Sequence, residues 1–162
     1  MLFLLFQLGD DRYALDASRV VEVLPLLNLK KIPQAPRGVA GIFVYHGQPV
    51  PAVDLSELTS GRPASEKLST RIILVNHADD GGKNHLLGLI AEHATEMIRR
   101  NKNDFNDPGM KLRRAPHLGP VMTDEKGVVQ LIHEQKLLSA NVRDFIFNEA
   151  TVTSDKLNHS SP

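Results

Sequence analysis

The chain has 162 residues, with 19 basic and 19 acidic side chains and no cysteine. Because the formal net charge is zero, no overall field selects DNA, RNA or an anionic membrane. The missing cysteine excludes disulfides, thiolate nucleophiles and sulfur-ligated metals, and it fits a reducing cytoplasm. No run approaches the roughly 20 apolar residues of a membrane span, so we expect no membrane insertion.

The first predicted elements are short strands joined by turns. Residues 2–8 form an apolar run of strand length, and residues 12–15 return after a Gly-Asp-Asp turn. A brief helical turn begins near Asp16 and leads into a third strand at residues 20–24. Residues 26–32 resume extended structure after a proline, and a rigid proline-containing loop follows.

A β-hairpin is predicted at residues 39–53, with His46-Gly47 as its two-residue turn. Glycine takes positive φ easily, and histidine tolerates it better than most residues. The prolines of the second strand lack an N–H on their outer side, so they close that edge to a further strand. The expected cross-strand pairs are Tyr45–Gln48, Val44–Pro49 and Ile42–Pro51.

A short helix is predicted at the exit of the hairpin. Asp54 can cap it, and Glu57 can complete a capping box. We therefore assign structural roles to both residues, and to the edge prolines Pro49 and Pro51. Residues 60–69 are small, polar and proline-containing, which is typical of a linker.

The second half of the chain has the same alternation of strands and turns. Its long polar stretch, residues 100–117, predicts a mobile loop. Residues 134–147 have an apolar face near the 3.6-residue period of a helix. The other predicted elements are strands at 71–77, 85–91, 119–122 and 128–132, a strand or bend at 92–99, and a flexible tail at 149–162.

The two halves of the chain have the same order of predicted elements. Each begins with an apolar strand, an aspartate-containing turn and a second strand, and each closes with a strand that runs into a short helix. This weak repeat favours two small β-barrels over one large sheet. We expect a domain at residues 1–148 with two interlocked subdomains, roughly 10–68 and 69–148, and the N-terminal strand is a candidate to cross over.

We predict no catalytic, cofactor or metal site. His77, His85 and His93 recur regularly, but strand geometry puts His93 about 26 Å from His85, at roughly 3.3 Å per residue. No acidic pair supplies further ligands, so we expect solvated histidines at strand ends. A small β-barrel nucleic-acid-binding module and a hydrolase remain alternative hypotheses. Low aromatic content and zero charge speak against the first, and no nucleophile elbow supports the second.

An apolar excess marks residues 24–29 as a candidate partner surface. Pro25 interrupts this leucine-rich segment, so it cannot bury every side chain in one sheet face. Leu24 and Leu27 are therefore candidates for an exposed groove beside Glu22, whereas burial in the core remains the alternative for about half of these leucines.

The chain resembles the CheW family of chemotaxis coupling proteins over about residues 2 to 145. The order and spacing of several short elements carry the resemblance. These elements are Phe6-Gln7-Leu8-Gly9-Asp10-Asp11-Arg12-Tyr13, Val20-Val21-Glu22-Val23, the hairpin from Gly41 through His46-Gly47 to Pro51, Val53, Asp54 and Leu55, and Glu134-Gln135-Lys136-Leu137-Leu138.

This resemblance implies a mainly β fold of two intertwined five-stranded Src-homology-3-like β-barrels, with short helices and a C-terminal helix. It implies no catalysis and no cofactor. Family members bridge the cytoplasmic tip of a methyl-accepting chemoreceptor to the regulatory domain of a CheA-type histidine kinase. A groove between the barrels takes the receptor's helical hairpin. The expected location is cytoplasmic, at membrane-associated receptor–kinase arrays.

The resemblance also implies where partners bind, and one position departs from the family pattern. The family commonly has Asn-Leu-Arg-Gly where this chain has Val44-Tyr45-His46-Gly47, so a permanent planar charge is lost. That difference favours a specialised coupling protein, of which a Wsp-type surface-signalling branch is one example. The partner-binding candidates are Glu22, Leu24, Leu27, Ile42, Val44, His46 and Gly47.

Two of these candidates have structural alternatives. Glu22 can be a surface strand residue that pairs with Lys30 or Arg19. His46 can be a turn residue that serves only the backbone conformation.

Overall fold

The structure is a computed structural model that describes residues 1–110 and 115–149. Within these ranges the strands are β1 (Leu2–Leu8), β2 (Asp11–Asp16), β3 (Val20–Pro25), β4 (Val39–Tyr45), β5 (Gln48–Asp54), β6 (Arg71–Ala78), β7 (Asn84–Arg99), β8 (Leu118–Asp124) and β9 (Gly127–Ile132). The helical elements there are α1 (Leu55–Ser60), α2 (Ala140–Arg143), 3-10 turns at Ala17–Arg19, Lys102–Asp104 and Glu134–Lys136, and a π-helical turn at Asp144–Glu149. Apart from its first residue, the predicted tail lies outside the described residues.

The strands form two groups that share the long strand β7. One group has the order β3-β6-β7-β5-β4 and uses residues 84–91 of β7. The other has the order β7-β1-β2-β9-β8 and uses residues 92–99. One isolated bridge joins Lys30, in the segment after β3, to Ile42 of β4, and another joins Asn106, in the segment after β7, to Val121 of β8; both are compatible with small barrels. The predicted mainly β fold is confirmed.

A bulge near His93 marks the point where β7 passes from one group to the other. The partner of β1 shifts from Glu96 to Glu92 between Leu5 and Gln7. His93 has a φ of 49°, a left-handed conformation that is uncommon for residues other than glycine. Such a bulge bends a strand and increases its twist, which allows one strand to serve both groups.

The hairpin has the predicted register, but its outer edge is not closed throughout. Ile42 pairs with Pro51, and Val44 pairs with Pro49. However, β5 also pairs in parallel with β7 through residues 52–54. The expectation of a fully closed edge is therefore wrong, because these residues follow Pro51 and have the backbone N–H groups that the prolines lack.

Two other predicted elements differ from the structure. Residues 26–32 do not form a strand; they meet β4 at one bridge, where Lys30 exchanges two 2.8 Å hydrogen bonds with Ile42. The backbone lies so close there that a Cβ on Gly41 would come 2.5 Å from the Lys30 carbonyl oxygen. The helix predicted at 134–147 is divided, because the Ser139 hydroxyl accepts from the backbone N–H of Val142 and starts a new helix.

The described residues form three hydrophobic clusters. One lies within the first strand group around Phe43 and Ile72, and another within the second group around Phe3 and Met122. The largest cluster contains side chains from both groups and from the C-terminal helical segment, including Leu137. Strands β6 and β7, which follow the linker, pair with strands that precede it, so the halves of the chain interleave. The proposed boundary near residue 68 stays a prediction.

Candidate functional site

One surface joins strand β3 to the turn of the β4–β5 hairpin. The Tyr45 hydroxyl donates a 2.5 Å hydrogen bond to the Glu22 carboxylate. We call the surface formed by Glu22, Val44, Tyr45, His46 and Gly47 the hairpin-tip surface. The hydrogen bond that the Tyr45 hydroxyl donates to Glu22 raises the pKa of Tyr45, because the carboxylate favours the protonated hydroxyl over the phenolate.

The turn itself presents its side chains to solvent. His46 and Gly47 have φ values of 48° and 80°, as a type I′ turn requires. The His46 ring stacks on Tyr45, with ring centroids 4.1 Å apart and planes inclined by 10°. Val44 is 67% exposed, which is unusual for a valine in a strand. An exposed apolar side chain at a hairpin tip is suited to contact a partner.

The predicted site residues outside the tip fall into two environments. Leu24 is half-buried against the core of the first strand group. Ile42 is half-buried on β4, two residues from Val44 and on the same face. Leu27 lines a groove of about 750 Å³ between the segment after β3, strand β4 and the linker. The structure thus brings Glu22 together with the turn, whereas it places Leu27 in a separate groove at the other end of β4.

Asp54 lies at the end of the hairpin and caps α1. Its carboxylate accepts from the backbone N–H groups of Glu57 (3.2 Å) and Ala64 (2.9 Å), so it also fixes the linker. Burial raises the pKa of Asp54, although both hydrogen bonds oppose that shift. The Asp54 N–H donates to the Gly38 carbonyl, and the Glu57 carboxylate lies 3.5 Å from Arg37. A capping box would also need a hydrogen bond from the Asp54 N–H to the Glu57 carboxylate. Here that N–H and that carboxylate have other partners, so the predicted capping box is only half formed.

A second polar group, which the sequence did not predict, is built around two buried side chains, Glu134 and His77. Glu134 accepts a 2.7 Å hydrogen bond from Nε of Arg19, and its other oxygen is 3.0 Å from Nδ1 of His77. We call these three residues the polar cluster. His77 is 1% exposed and stacks against Phe147, so the expectation that it is solvated is wrong. The pairing of Arg19 with Glu22, one alternative for that carboxylate, is also wrong, since Arg19 bonds Glu134.

His85 and His93, the other two histidines considered as metal ligands, lie in different environments. Nε2 of His85 lies 2.8 Å from Asp79, and His93 is exposed at the bulge. Among residues 1–110 and 115–149, no three histidine, aspartate or glutamate side chains are grouped as metal ligands. No helix in the same ranges is long and apolar enough to span a membrane.

Comparison with known proteins gives a family and a fold. The profile of the CheW-like domain matches residues 2–142. Chemotaxis protein CheW of Helicobacter pylori is 25% identical over 104 residues, and that of Treponema pallidum is 26% identical over 107. Each of these alignments covers 64% of this chain and 60% of the relative, so the chain matches somewhat over half the length of these two proteins.

Two further similarities extend over most of the chain. Chemotaxis protein CheW of Klebsiella aerogenes is 21% identical over 157 residues, which is 91% of this chain and 87% of that protein. The crystal structure of scaffolding protein TtCheW from Thermoanaerobacter tengcongensis superposes with a TM-score of 0.75 at 23% identity. That superposition covers 87% of this chain and 89% of the other. It shows a shared fold.

Proposed function

The chain belongs to the CheW-like domain family, and from that premise we propose that it is a non-enzymatic adaptor of bacterial chemosensory signalling. In this proposal it couples the cytoplasmic tip of a methyl-accepting chemoreceptor to the regulatory domain of a CheA-type histidine kinase. It acts in the cytoplasm, recruited to membrane-associated receptor–kinase arrays. It needs no cofactor, and neither nucleic acid nor direct membrane insertion is part of its role.

The similar proteins support the general part of this proposal. The relatives from three bacteria are named as chemotaxis proteins, and the similar crystal structure is named as that of a scaffolding protein. A scaffold acts through surfaces that hold other proteins, so its functional residues are expected to be exposed and carried by rigid elements.

The hairpin-tip surface is the single observation that carries the proposal for the site. Glu22 and the turn are separate in sequence, and the Tyr45 hydrogen bond unites them on one face. A tight turn restrains the backbone of His46 and Gly47. A surface that is ordered before binding loses less conformational entropy when a partner docks.

The remaining candidates lie away from the turn, and one of them lines a groove at the other end of β4, beside Val39 and Ala40. Leu27 is 37% exposed and lines this groove, whereas Leu24 and Ile42 are half-buried and do not line it. We assign the groove to an amphipathic helix of the receptor, because the exposed Leu27 and the lining carboxylates of Glu57 and Glu66 suit the apolar and polar faces of such a helix. The hairpin tip then lies where the second partner can reach it.

A pulldown from cell extract tests the function. A tagged copy of the chain should retain both a methyl-accepting chemoreceptor and a histidine kinase. A second coupling protein, tagged in the same way, is the positive control. A receptor fragment on beads should then retain the kinase regulatory domain only when the chain is added, since bridging is the proposed activity. The proposal is wrong if the chain retains neither protein in extracts where the control retains both.

A further inference from the structure

In the hairpin-tip surface, the carboxylate of Glu22 is bonded to an uncharged hydrogen-bond donor. The Glu22 carboxylate accepts from the Tyr45 hydroxyl at 2.5 Å. Among the residues that the structure describes, no ion pair joins Glu22 to a lysine or arginine. A hydroxyl orients the carboxylate without neutralising it, so the negative charge of Glu22 remains available to a partner.

Tyr45 is itself held in a defined position. Its ring packs against the core of the first strand group and also stacks on His46, with centroids 4.1 Å apart. The adjacent turn has two left-handed residues and ends a paired hairpin, which restrains the strand that carries Tyr45. The hydroxyl therefore presents Glu22 from a rigid support.

We propose that Tyr45 is a positioning residue for partner specificity, holding the Glu22 carboxylate with a neutral hydroxyl so that it receives a lysine or arginine side chain of the partner. This inference rests on the proposed coupling function and names the chemistry of the partner at that site. A carboxylate that is already oriented gains more from a cationic partner than a mobile one, because less side-chain entropy is lost on binding.

The arrangement has a second consequence for selectivity. A permanent cation next to Glu22 would compensate its charge and remove the preference for a basic partner. The chain instead places His46 at the tip, stacked on the ring of Tyr45. His46→Arg therefore tests selectivity directly, because it adds a permanent charge at an exposed turn.

Binding titrations at two salt concentrations test the proposal. The probes are the purified receptor fragment and kinase regulatory domain that the wild-type chain retains. Glu22→Gln should weaken binding to one of them by about tenfold at low salt and should reduce the salt dependence, since it removes a charge contact. Tyr45→Phe should weaken the same binding by roughly threefold and keep the salt dependence. His46→Arg should weaken it by several fold.

The matched control is Glu125→Gln, which removes an exposed carboxylate at the β8–β9 turn. It should leave both affinities unchanged. The inference is overturned if wild-type chain binds and Glu22→Gln behaves like Glu125→Gln, or if Tyr45→Phe binds as the wild type does. Failure of the wild-type chain to bind either probe would overturn the coupling function together with this inference.

A spectroscopic readout tests the Tyr45–Glu22 bond without any partner. The chain has two tyrosines and no tryptophan, so tyrosinate absorbance is free of indole background. The pKa of Tyr45 should lie above 10.0 in the wild-type chain and fall toward that value in Glu22→Gln. Tyr45→Phe leaves only Tyr13 and identifies the second transition. An unchanged titration in Glu22→Gln would show that the bond is absent in solution and would overturn the inference.

Discussion

The polar cluster and the hairpin-tip surface use similar side chains in opposite ways. Glu134 is 2% exposed, and its two oxygens contact Arg19 and His77 from different elements. Glu22 is exposed and accepts a hydrogen bond from one hydroxyl. A carboxylate that is buried and bonded on both sides holds the fold together. A carboxylate that is exposed and held on one side is available to a partner.

The largest expected effect comes from removing the buried charge of the polar cluster. Glu134→Gln should lower the free energy of unfolding by about 3 kcal/mol, because it leaves the buried imidazole of His77 and the partly exposed guanidinium of Arg19 without their carboxylate. Urea unfolding measures the change, and Glu22→Gln is the matched control. That control should change stability by less than about 0.5 kcal/mol. Equal changes in both variants would abolish the contrast between the two regions.

Asp54 provides an intermediate case, since it supports the exit of the hairpin. Asp54→Ala should lower the free energy of unfolding by about 1–2 kcal/mol, because the helix cap and the bond to the Ala64 N–H are both lost. Asp54→Asn should lower the free energy of unfolding by less, because asparagine keeps an oxygen that can accept one of these hydrogen bonds. If Asp54→Asn is as destabilised as Asp54→Ala, the charge rather than the cap is what stabilises this site.

The smallest stability effect is expected at the partly exposed Arg12–Asp124 pair, and it depends on pH. Two 2.7 Å hydrogen bonds from Arg12 lower the pKa of Asp124 from 3.8 to about 2. The folded state therefore binds this proton more weakly than the unfolded chain does. The stabilisation is fully present above about pH 4 and is lost as the pH falls through about 2.

The comparison of wild-type chain with Asp124→Asn measures this contribution. The two proteins should differ by about 1 kcal/mol at pH 7, a value reduced by solvent screening of the pair. The difference should shrink toward zero near pH 2. A difference that is constant from pH 7 to pH 2 would mean that the ion pair contributes nothing and that packing accounts for the change.

Local chemistry made the hairpin predictable from sequence. The His46-Gly47 turn fixes which residues face each other, and the pairing of Val44 with Pro49 follows from it. Asp54 is likewise recognisable as a cap, because its partner Glu57 is three residues away. These features depend on neighbours in the chain, so a single sequence contains enough information for them.

Contacts between distant residues could not be predicted in this way. Glu134 and His77 are 57 residues apart, and Tyr45 and Glu22 are 23 apart. Nothing in one sequence states which carboxylate meets which donor. The regular spacing of the histidines does not tell which of them is buried, whereas in the structure His77 is buried and stacks against Phe147 of the C-terminal segment. The strand predicted at residues 26–32 is wrong for a similar reason. Their path is set by the bridge to β4, a contact between residues that are distant in the chain.

The exposed valines Val44 and Val128 provide the most direct test of the central claim, that the hairpin tip is a partner surface. Val44 is 67% exposed beside one hairpin turn, and Val128 is 58% exposed beside another, in the other strand group. We would measure binding of Val44→Glu and Val128→Glu to the receptor fragment and the kinase regulatory domain by calorimetry. The proposed site predicts that Val44→Glu loses affinity for one partner by at least about tenfold, or 1.4 kcal/mol, whereas Val128→Glu binds as the wild type does. Equal affinities of the two variants for both partners would contradict it.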